Sequence, residues 1–268
     1  MMIKCLRALV LAVVIVSAVP GVAPAGHEMS LGAGVGVAPD YEGSENYQAV
    51  PLLMFKSRCD SGRYFEFNGL GLRFNAVPSR RYNLGPIVRY RMARDDVENR
   101  NVDALRDVDA ALEGGVFASV SHRNVQVGLQ WVHDLVDGHG GHLTTPSLGY
   151  RWKLSQAFSI VPSVSATYAS KQYMHTYFGV DARNRGGNTV YPDYRAGSGW
   201  KDLGANVMAS YDLNDKWGIT ALASYSRLQG DAKTSPLVRG DEGRAGQFFG
   251  GLMLSYAFGK RPEPNGEP

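Results

Sequence analysis

The sequence predicts a transmembrane antiparallel β-barrel of twelve strands, with ten as the alternative, preceded by a cleaved signal peptide. Three observations carry that prediction. Period-two alternation of apolar with small or polar residues recurs along the chain, and no stretch reads as an amphipathic helix of useful length. The alternating segments run about 10 to 15 residues, longer than the ~5–6 of a typical strand. Aromatic residues gather near segment ends, while the second face carries Gly, Ser, Asn, Gln, Arg and Lys. That combination suits a wet lumen between two interfacial girdles.

Composition excludes several other classes. The formal net charge is +3, and Lys4 and Arg7 lie in a segment read below as removed. Without them 26 basic residues face 25 acidic ones, so the chain lacks the basic excess of a nucleic-acid binder. Glycine, 32 of 268 residues, is well above the usual ~7%. A mean hydropathy of -0.21 excludes a polytopic helical membrane protein. The 10 Phe, 4 Trp and 14 Tyr spread along the chain exclude disorder.

The elements follow in order. Lys4 and Arg7 form a charged n-region, residues 9–16 an apolar run, and Ala23-Pro24-Ala25 a small-x-small cleavage site. Residues 1–25 therefore read as a signal peptide, the apolar run being shorter than the ~20 residues of a spanning helix. Cys5 lies too early for a lipoprotein cysteine, which leaves Cys59 alone in the mature chain. A lone thiol excludes an intramolecular disulfide framework and a Cys cluster for zinc. The barrel occupies 26–258 and a short polar periplasmic tail occupies 259–268.

Within the barrel, Leu31, Ala33, Val35 and Val37 alternate with Gly32, Gly34 and Gly36. Residues 62–77 read at first as one strand, which makes eleven. Asn68-Gly69 is a two-residue hairpin dipeptide, and splitting there gives the even number that two periplasmic termini require. Leu84, Pro86, Val88, Tyr90 and Met92 alternate with Asn83, Gly85, Ile87, Arg89 and Arg91. Val125 to Trp131, Leu148 to Trp152 and Phe158 to Tyr168 repeat the pattern, as do Leu203 to Leu213, Trp217 to Tyr225 and Phe248 to Phe258. Short connections (78–81, 122–123, 155–156, 214–215) alternate with long ones (94–107, 136–141, 172–195, 231–244), which places the short turns in the periplasm and the long loops outside.

Several motifs resemble the MipA/OmpV family of outer-membrane proteins. Gly32-Ala33-Gly34-Val35-Gly36-Val37-Ala38-Pro39-Asp40-Tyr41-Glu42-Gly43-Ser44 is similar to the family's first strand and Pro-x-Tyr-x-Gly loop (Pro39, Tyr41, Gly43), with Pro51 in the next strand. Lys171-Gln172-Tyr173 and Tyr177-Phe178-Gly179-Val180 continue it. Tyr225-Ser226-Arg227-Leu228, Ser235-Pro236-Leu237-Val238 and Ser255-Tyr256-x-Phe258 complete it. Where barrels of this kind commonly stop at the last aromatic, ten residues follow here. The resemblance implies a non-enzymatic protein of the Gram-negative outer membrane, without cofactor. It implies a scaffold for peptidoglycan-remodelling enzymes, joining a lytic transglycosylase to a bifunctional penicillin-binding protein. Other members are porin-like, so a small or gated channel is the alternative.

Candidate chemistry centres on inward charges. Arg89 and Arg91 share one predicted strand face, and Asp109 and Glu113 are placed on the next strand. They either pair across the lumen as a plug or form a charged constriction that selects solutes. Arg151 and Lys153 add inward cations that bias a pore toward anions. His133-Asp134 invites a hydrolase reading, but strand neighbours point to opposite faces and no Gly-x-Ser-x-Gly occurs, so no catalytic site is assigned. Gly138-His139-Gly140-Gly141-His142 reads as a flexible exposed loop rather than a metal site. The Tyr177-Phe178-Gly179-Val180 and Ser235-Pro236-Leu237-Val238 loops are expected to fold onto each other over the barrel mouth, with a surface-contact site as the other reading. Cys59 is expected in a periplasmic turn.

Overall fold

The structure, a computed structural model, describes residues 27–258; the segments read as signal peptide and tail lie outside the described residues. Twelve staves close into an antiparallel ring in which each pairs with its sequence neighbours and the last pairs with the first. They are β1 (His27–Pro39), β2 (Tyr47–Cys59), β3 (Tyr64–Asn68), β4 (Gly71–Asn75), β5 (Tyr82–Arg91), β6 (Ala111–His122) and β7 (Val125–Asp134). Then come β8 (His142–Tyr150) and β9 (Trp152–Lys153), two pieces of one stave interrupted at Arg151, and β10 (Phe158–Ala169), β11 (Gly199–Asp212), β12 (Trp217–Leu228) and β13 (Gly246–Phe258). Closure satisfies the strand backbone internally, the condition for crossing lipid.

The alternation read from sequence is the alternation of faces. Val35, Leu203, Val164 and Leu252 point outward and are exposed, whereas Ile87, Phe117, Val132 and Met253 point inward and are buried. Two aromatic girdles ring the outside. The lower includes Tyr82, Tyr150, Trp152, Tyr211 and Trp217; the upper includes Tyr47, Tyr90, Trp131, Trp200 and Tyr225. Tyr82 and Tyr90 lie eight residues apart on β5, roughly 20 Å along the membrane normal at the usual rise and tilt, which matches an apolar band.

The hairpin turn expected at Asn68-Gly69 falls one residue on, since Asn68 pairs with Gly71 and leaves Gly69 and Leu70 as the turn. Gly69 takes φ +61 in the two-residue turn between β3 and β4, a conformation its neighbour-free backbone accepts at no cost. At the other end the fully buried Asn75 amide donates to the carbonyls of Gly62 and Val77 and accepts the N–H of Leu84, binding two periplasmic turns into one unit. Cys59 closes β2, its N–H donating to the Arg63 carbonyl.

The outer connections carry four short helices: α1 (Arg100–Asp103), α2 (Lys171–Phe178), α3 (Gly230–Thr234) and α4 (Pro236–Arg239). The loop between β10 and β11 lies across the mouth, and α2 buries Tyr173, Met174, Tyr177 and Phe178 there. Ser170 caps α2 and its hydroxyl also accepts the N–H of His142, which ties the helix to the adjoining stave.

Candidate functional site

Strand register assembles the ionic centre beneath α2. Arg89 of β5 pairs directly with Glu113 of β6, and Arg91, two residues on, shares the inward face. Arg89 donates through Nε to Glu113 Oε2 at 2.9 Å, and Arg91 donates through Nε to Oε1 at 2.8 Å. The Glu113 side chain is 1% exposed. Arg91 Nη1 reaches on to Glu42 Oε1 at 3.1 Å, and its guanidinium lies 5.0 Å from the Tyr173 ring centre.

Asp109 is the correction to the expected charge set. It sits in the loop before β6, exposed, because β6 starts at Ala111. Arg151 and Lys153 lie at the opposite, periplasmic end of the barrel, the first at the break between β8 and β9 and the second exposed. They do not join the centre at the mouth.

The structure adds four members that the sequence reading passed over. Glu42, between Tyr41 and Gly43, accepts Arg91, Lys201 Nζ at 3.1 Å and the Tyr173 hydroxyl at 2.8 Å, all on Oε1. Lys201 also bonds Asp202 Oδ2 at 2.7 Å. Simple alternation sends one of these neighbours outward, but the register shifts between Thr167 and Tyr168, where Thr167 pairs with Asp202 and Tyr168 with Trp200. The bulge leaves Lys201 as the extra residue and turns both side chains inward, where both are buried. His139 is the fourth. Its Nδ1 accepts the N–H of Gly141, so the proton resides on Nε2 and is donated to Glu113 Oε1 at 3.1 Å.

His139 itself is buried, within a loop that is otherwise largely exposed. The Asp134 carboxylate accepts the N–H groups of Val136, His139 and Gly140, which turns His139 and Gly141 inward while Leu135, Val136, Asp137 and Gly140 stay exposed. Asp134 is buried on the inward face, while His133 points outward and stacks on Trp131. The two therefore form no joint site. Among the described residues no cluster of His, Cys, Asp and Glu could hold a metal ion.

The distinctive loop motifs converge above this centre. Ser235 Oγ donates to the Phe178 carbonyl at 2.7 Å, and Leu237 and Val180 are both fully buried in one apolar cluster with Tyr41 and Tyr191. Gly43 lies against Val238, where an added Cβ would come within 2.6 Å of Cγ2. The Pro-x-Tyr-x-Gly loop, Tyr177 to Val180 and Ser235 to Val238 thus interlock as a cap. Arg94, buried beside them, donates to the carbonyls of Tyr177 and Arg106.

Glu42 gives the cap a pH limit. Burial pushes its carboxyl up, but Lys201 and Arg91, with the Tyr173 hydroxyl bond, outweigh that and hold it below the ordinary value of 4.5. A carboxyl depressed in the folded state stabilises above its unfolded pKa, and that contribution is lost as pH falls through the folded value. Cap stability, followed by protease nicking of residues 170–198, is therefore expected to be flat from pH 8 to about 5 and to fall below about 4.3. A Glu42→Gln variant that keeps the same acid transition would remove Glu42 as its origin.

Comparison with known proteins adds the following. The family model described as MltA-interacting protein MipA matches residues 31–258. Outer membrane protein Omp26La of Vibrio anguillarum is 27% identical over 195 residues, covering 72% of each chain. The MltA-interacting protein of Escherichia coli strain K12 is 26% identical over 252 residues, covering 91% of this chain and 96% of that one. Among solved structures, the COG4313 outer membrane channel from Pseudomonas putida F1 aligns with a TM-score of 0.46 at 11% identity, covering 90% of this chain and 100% of that one. The translocator domain of autotransporter NalP from Neisseria meningitidis aligns at 0.43 and 12% identity, covering 96% of both.

Proposed function

Because this chain belongs to the MltA-interacting protein MipA family and is an outer-membrane β-barrel, we propose that it works as a non-enzymatic interaction protein for peptidoglycan-remodelling enzymes. Its partners in this reading are a lytic transglycosylase and a bifunctional penicillin-binding protein. The observation that carries it is the covered outer mouth: interlocked loops are seated on an ionic centre that ties Glu42 to Arg91 and Lys201. What remains available for function is the periplasmic face.

That face has its own chemistry. Exposed Arg63, Arg80, Arg81, Arg123, Lys153 and Lys216 project from the periplasmic turns and strand ends, against exposed Asp60 and Asp215. A basic rim of this kind steers an acidic partner surface onto the barrel end. Affinity capture of the tagged protein, gently solubilised from its own outer membrane, is expected to recover both enzymes. The combined Arg80→Glu, Arg81→Glu and Arg123→Glu variant is expected to lose them while still assembling. Recovery of generic outer-membrane proteins alone, or capture untouched by the charge reversal, would sink the proposal.

A gated channel is the second reading. The observation favouring it is that the centre holds the cap by ion pairs, a linkage that voltage or a ligand could break. Planar bilayers distinguish the two, since a channel opens in steps and a scaffold stays silent.

A further inference from the structure

We propose that the outer wall over β10 to β13 binds a diphosphorylated glycolipid of the outer leaflet, of lipid A chemistry. Its phosphates rest on an arc of arginine and lysine, and its acyl chains lie on the strands below. Charge in the outer connections is split between two sides of the barrel. The connections from β1 to β2, β5 to β6 and β7 to β8 (residues 40–46, 92–110 and 135–141) carry ten carboxylates against three cations. Those from β10 to β11 and β12 to β13 (residues 170–198 and 229–245) carry seven cations against five carboxylates. The outer end therefore repels anions on one side and attracts them on the other.

The attracting side gathers its cations next to the aromatic girdle. Lys171, Arg195, Arg227 and Arg244 are all exposed, one on each of four adjacent staves or its extension. Each lies on the outer side of an aromatic residue of its own stave: Lys171 beyond Tyr168, Arg195 beyond Trp200, Arg227 beyond Tyr225 and Arg244 beyond Phe248. Trp200, Tyr225 and Phe248 are exposed, and Tyr168 packs edge-on against Trp200. Arg227 shares the outward face of β12 with Tyr225, two residues away. Three strand spacings separate the outermost staves, so the arc spans roughly 14 Å. Long basic side chains there can lay their stems on the wall and hold their charges at headgroup level.

The carboxylates on this side are engaged elsewhere. Asp181 pairs with His175, and Asp193 with Arg185. Asp231 accepts the Gly197 N–H at 2.7 Å, and Glu242 accepts the Asn46 amide at 3.3 Å. Asp241 is drawn toward α1, where its carbonyl accepts the Asn99 amide. From the neighbouring connection, Glu45 stands 3.8 Å from Arg244, with both side chains well exposed. The arc is also held in place. The Tyr194 hydroxyl donates to the Asp231 carbonyl at 2.8 Å, which together with the Gly197 bond fastens residues 194–197 to α3. Arg195 thus stands on a fixed segment, and a donor fixed in advance loses less freedom on binding. Guanidinium groups take phosphate oxygens in pairs.

The wall below suits acyl chains. Val207 pairs with Ala223 and Ala209 with Ala221 on the outward face of β11 and β12, a shallow strip below Tyr225. Exposed Leu252 and Leu254 of β13 border it on one side, and Val164 of β10 on the other. On β7 the same face carries Val125, Val127, Leu129 and Trp131, with no such strip. A zwitterionic phospholipid offers the arc no net charge, and a head with one phosphate engages only part of it. The arc and the periplasmic rim lie at opposite ends of the barrel, so both can be occupied at once.

The test is native mass spectrometry of the full barrel, delipidated in detergent, with diphosphoryl lipid A, its monophosphoryl form and phosphatidylglycerol added in turn. One diphosphoryl lipid A is expected to remain bound, preferred about tenfold over the other two, the worth of one charge-assisted hydrogen bond. The combined Lys171→Gln, Arg195→Gln, Arg227→Gln and Arg244→Gln variant is expected to lose that preference at an unchanged unfolding temperature, because exposed substitutions barely alter stability. Removing as much charge at the periplasmic end, with Arg80→Gln, Arg81→Gln, Arg123→Gln and Lys153→Gln, is expected to leave it intact. Equal retention of the three lipids by the unaltered protein, full preference in the outer variant, or equal loss in the periplasmic one each overturns the proposal. Should the outer variant fail to assemble, Arg227→Gln alone is expected to cut retention of diphosphoryl lipid A severalfold, and full retention there is equally decisive against it.

Discussion

Replacing Glu113 by Gln is expected to unseat the cap. The carboxylate serves Arg89, Arg91 and His139 at once from a position 1% exposed, and an amide can neither neutralise two guanidiniums nor accept bidentate bonds from them. Breaking a buried pair by removing one partner costs about 3–5 kcal/mol. The arginine side chains are 29% and 21% exposed, so partial hydration brings the cost toward the lower end, about 3 kcal/mol. For a barrel of this size that lowers the unfolding temperature by roughly 6–12 °C at fixed scan rate. The same variant is expected to raise conductance in planar bilayers, because the strand that carries residue 113 persists while the centre under α2 disperses. Asp109→Asn, at an exposed loop position, is the control and should change stability by no more than about 0.5 kcal/mol. A destabilised but silent Glu113→Gln barrel would mean that the apolar interlock of Leu237, Val180 and Phe178 suffices to keep the mouth shut.

Gly115→Val is expected to abolish assembly. A Cβ at Gly115 would fall 1.9 Å from the Trp131 carbonyl oxygen and 2.7 Å from the Val132 Cα, both backbone atoms of the paired β7. Neither can move aside without parting the ladder between β6 and β7. Gly85 repeats the situation on β5, 1.8 Å from the Phe74 carbonyl oxygen of β4. The readout is the compact, heat-sensitive species on gels run without boiling, which should be missing for Gly115→Val. Gly199→Ala, where a Cβ would meet nothing within 4 Å, should retain it. Full assembly of Gly115→Val would show that the two strands can separate locally at little cost, and would make close backbone packing there dispensable.

The sequence carried the wall of the barrel far better than its mouth, for a physical reason. Strand faces are set by a local rule, so Leu31 to Val37 or Leu203 to Tyr211 can be assigned from their own spacing. The hairpin signal of Asn68-Gly69 is equally local, although the turn itself falls at Gly69-Leu70, and so is the pairing of Arg89 with Glu113 once two neighbouring strands are recognised. The cap depends on contacts between residues far apart in the chain. Glu42 meets Lys201 across 159 positions, and nothing in the residues around either one announces the other. Lys201 and Asp202 were hidden further by the bulge, which breaks the alternation the reading relied on. The loop at 135–141 is largely exposed, as its glycines suggest, but His139 is turned inward by the Asp134 carboxylate gathering three N–H groups, a contact its composition does not announce. Asp109 failed through a boundary error of two residues, enough to move a charge from lumen to solvent.

The seam between the first and last strands has a consequence in time. Met29 pairs with Phe258, so the ring closes only when the final segment arrives, after all the intervening chain has been delivered. Bringing such distant ends together carries an entropic cost of roughly 5 kcal/mol from chain length alone. Until then β1 and β12 each offer an unsatisfied edge, the kind of template on which neighbouring chains aggregate. The cap joins residue 42 to residues 91, 173 and 201, so it too waits on chain delivered long after its first member. Assembly is therefore a slow, late-committing process. The nascent chain has to be escorted in an open form across the periplasm, and whichever factor escorts it must recognise a long polypeptide with exposed strand edges rather than a finished surface.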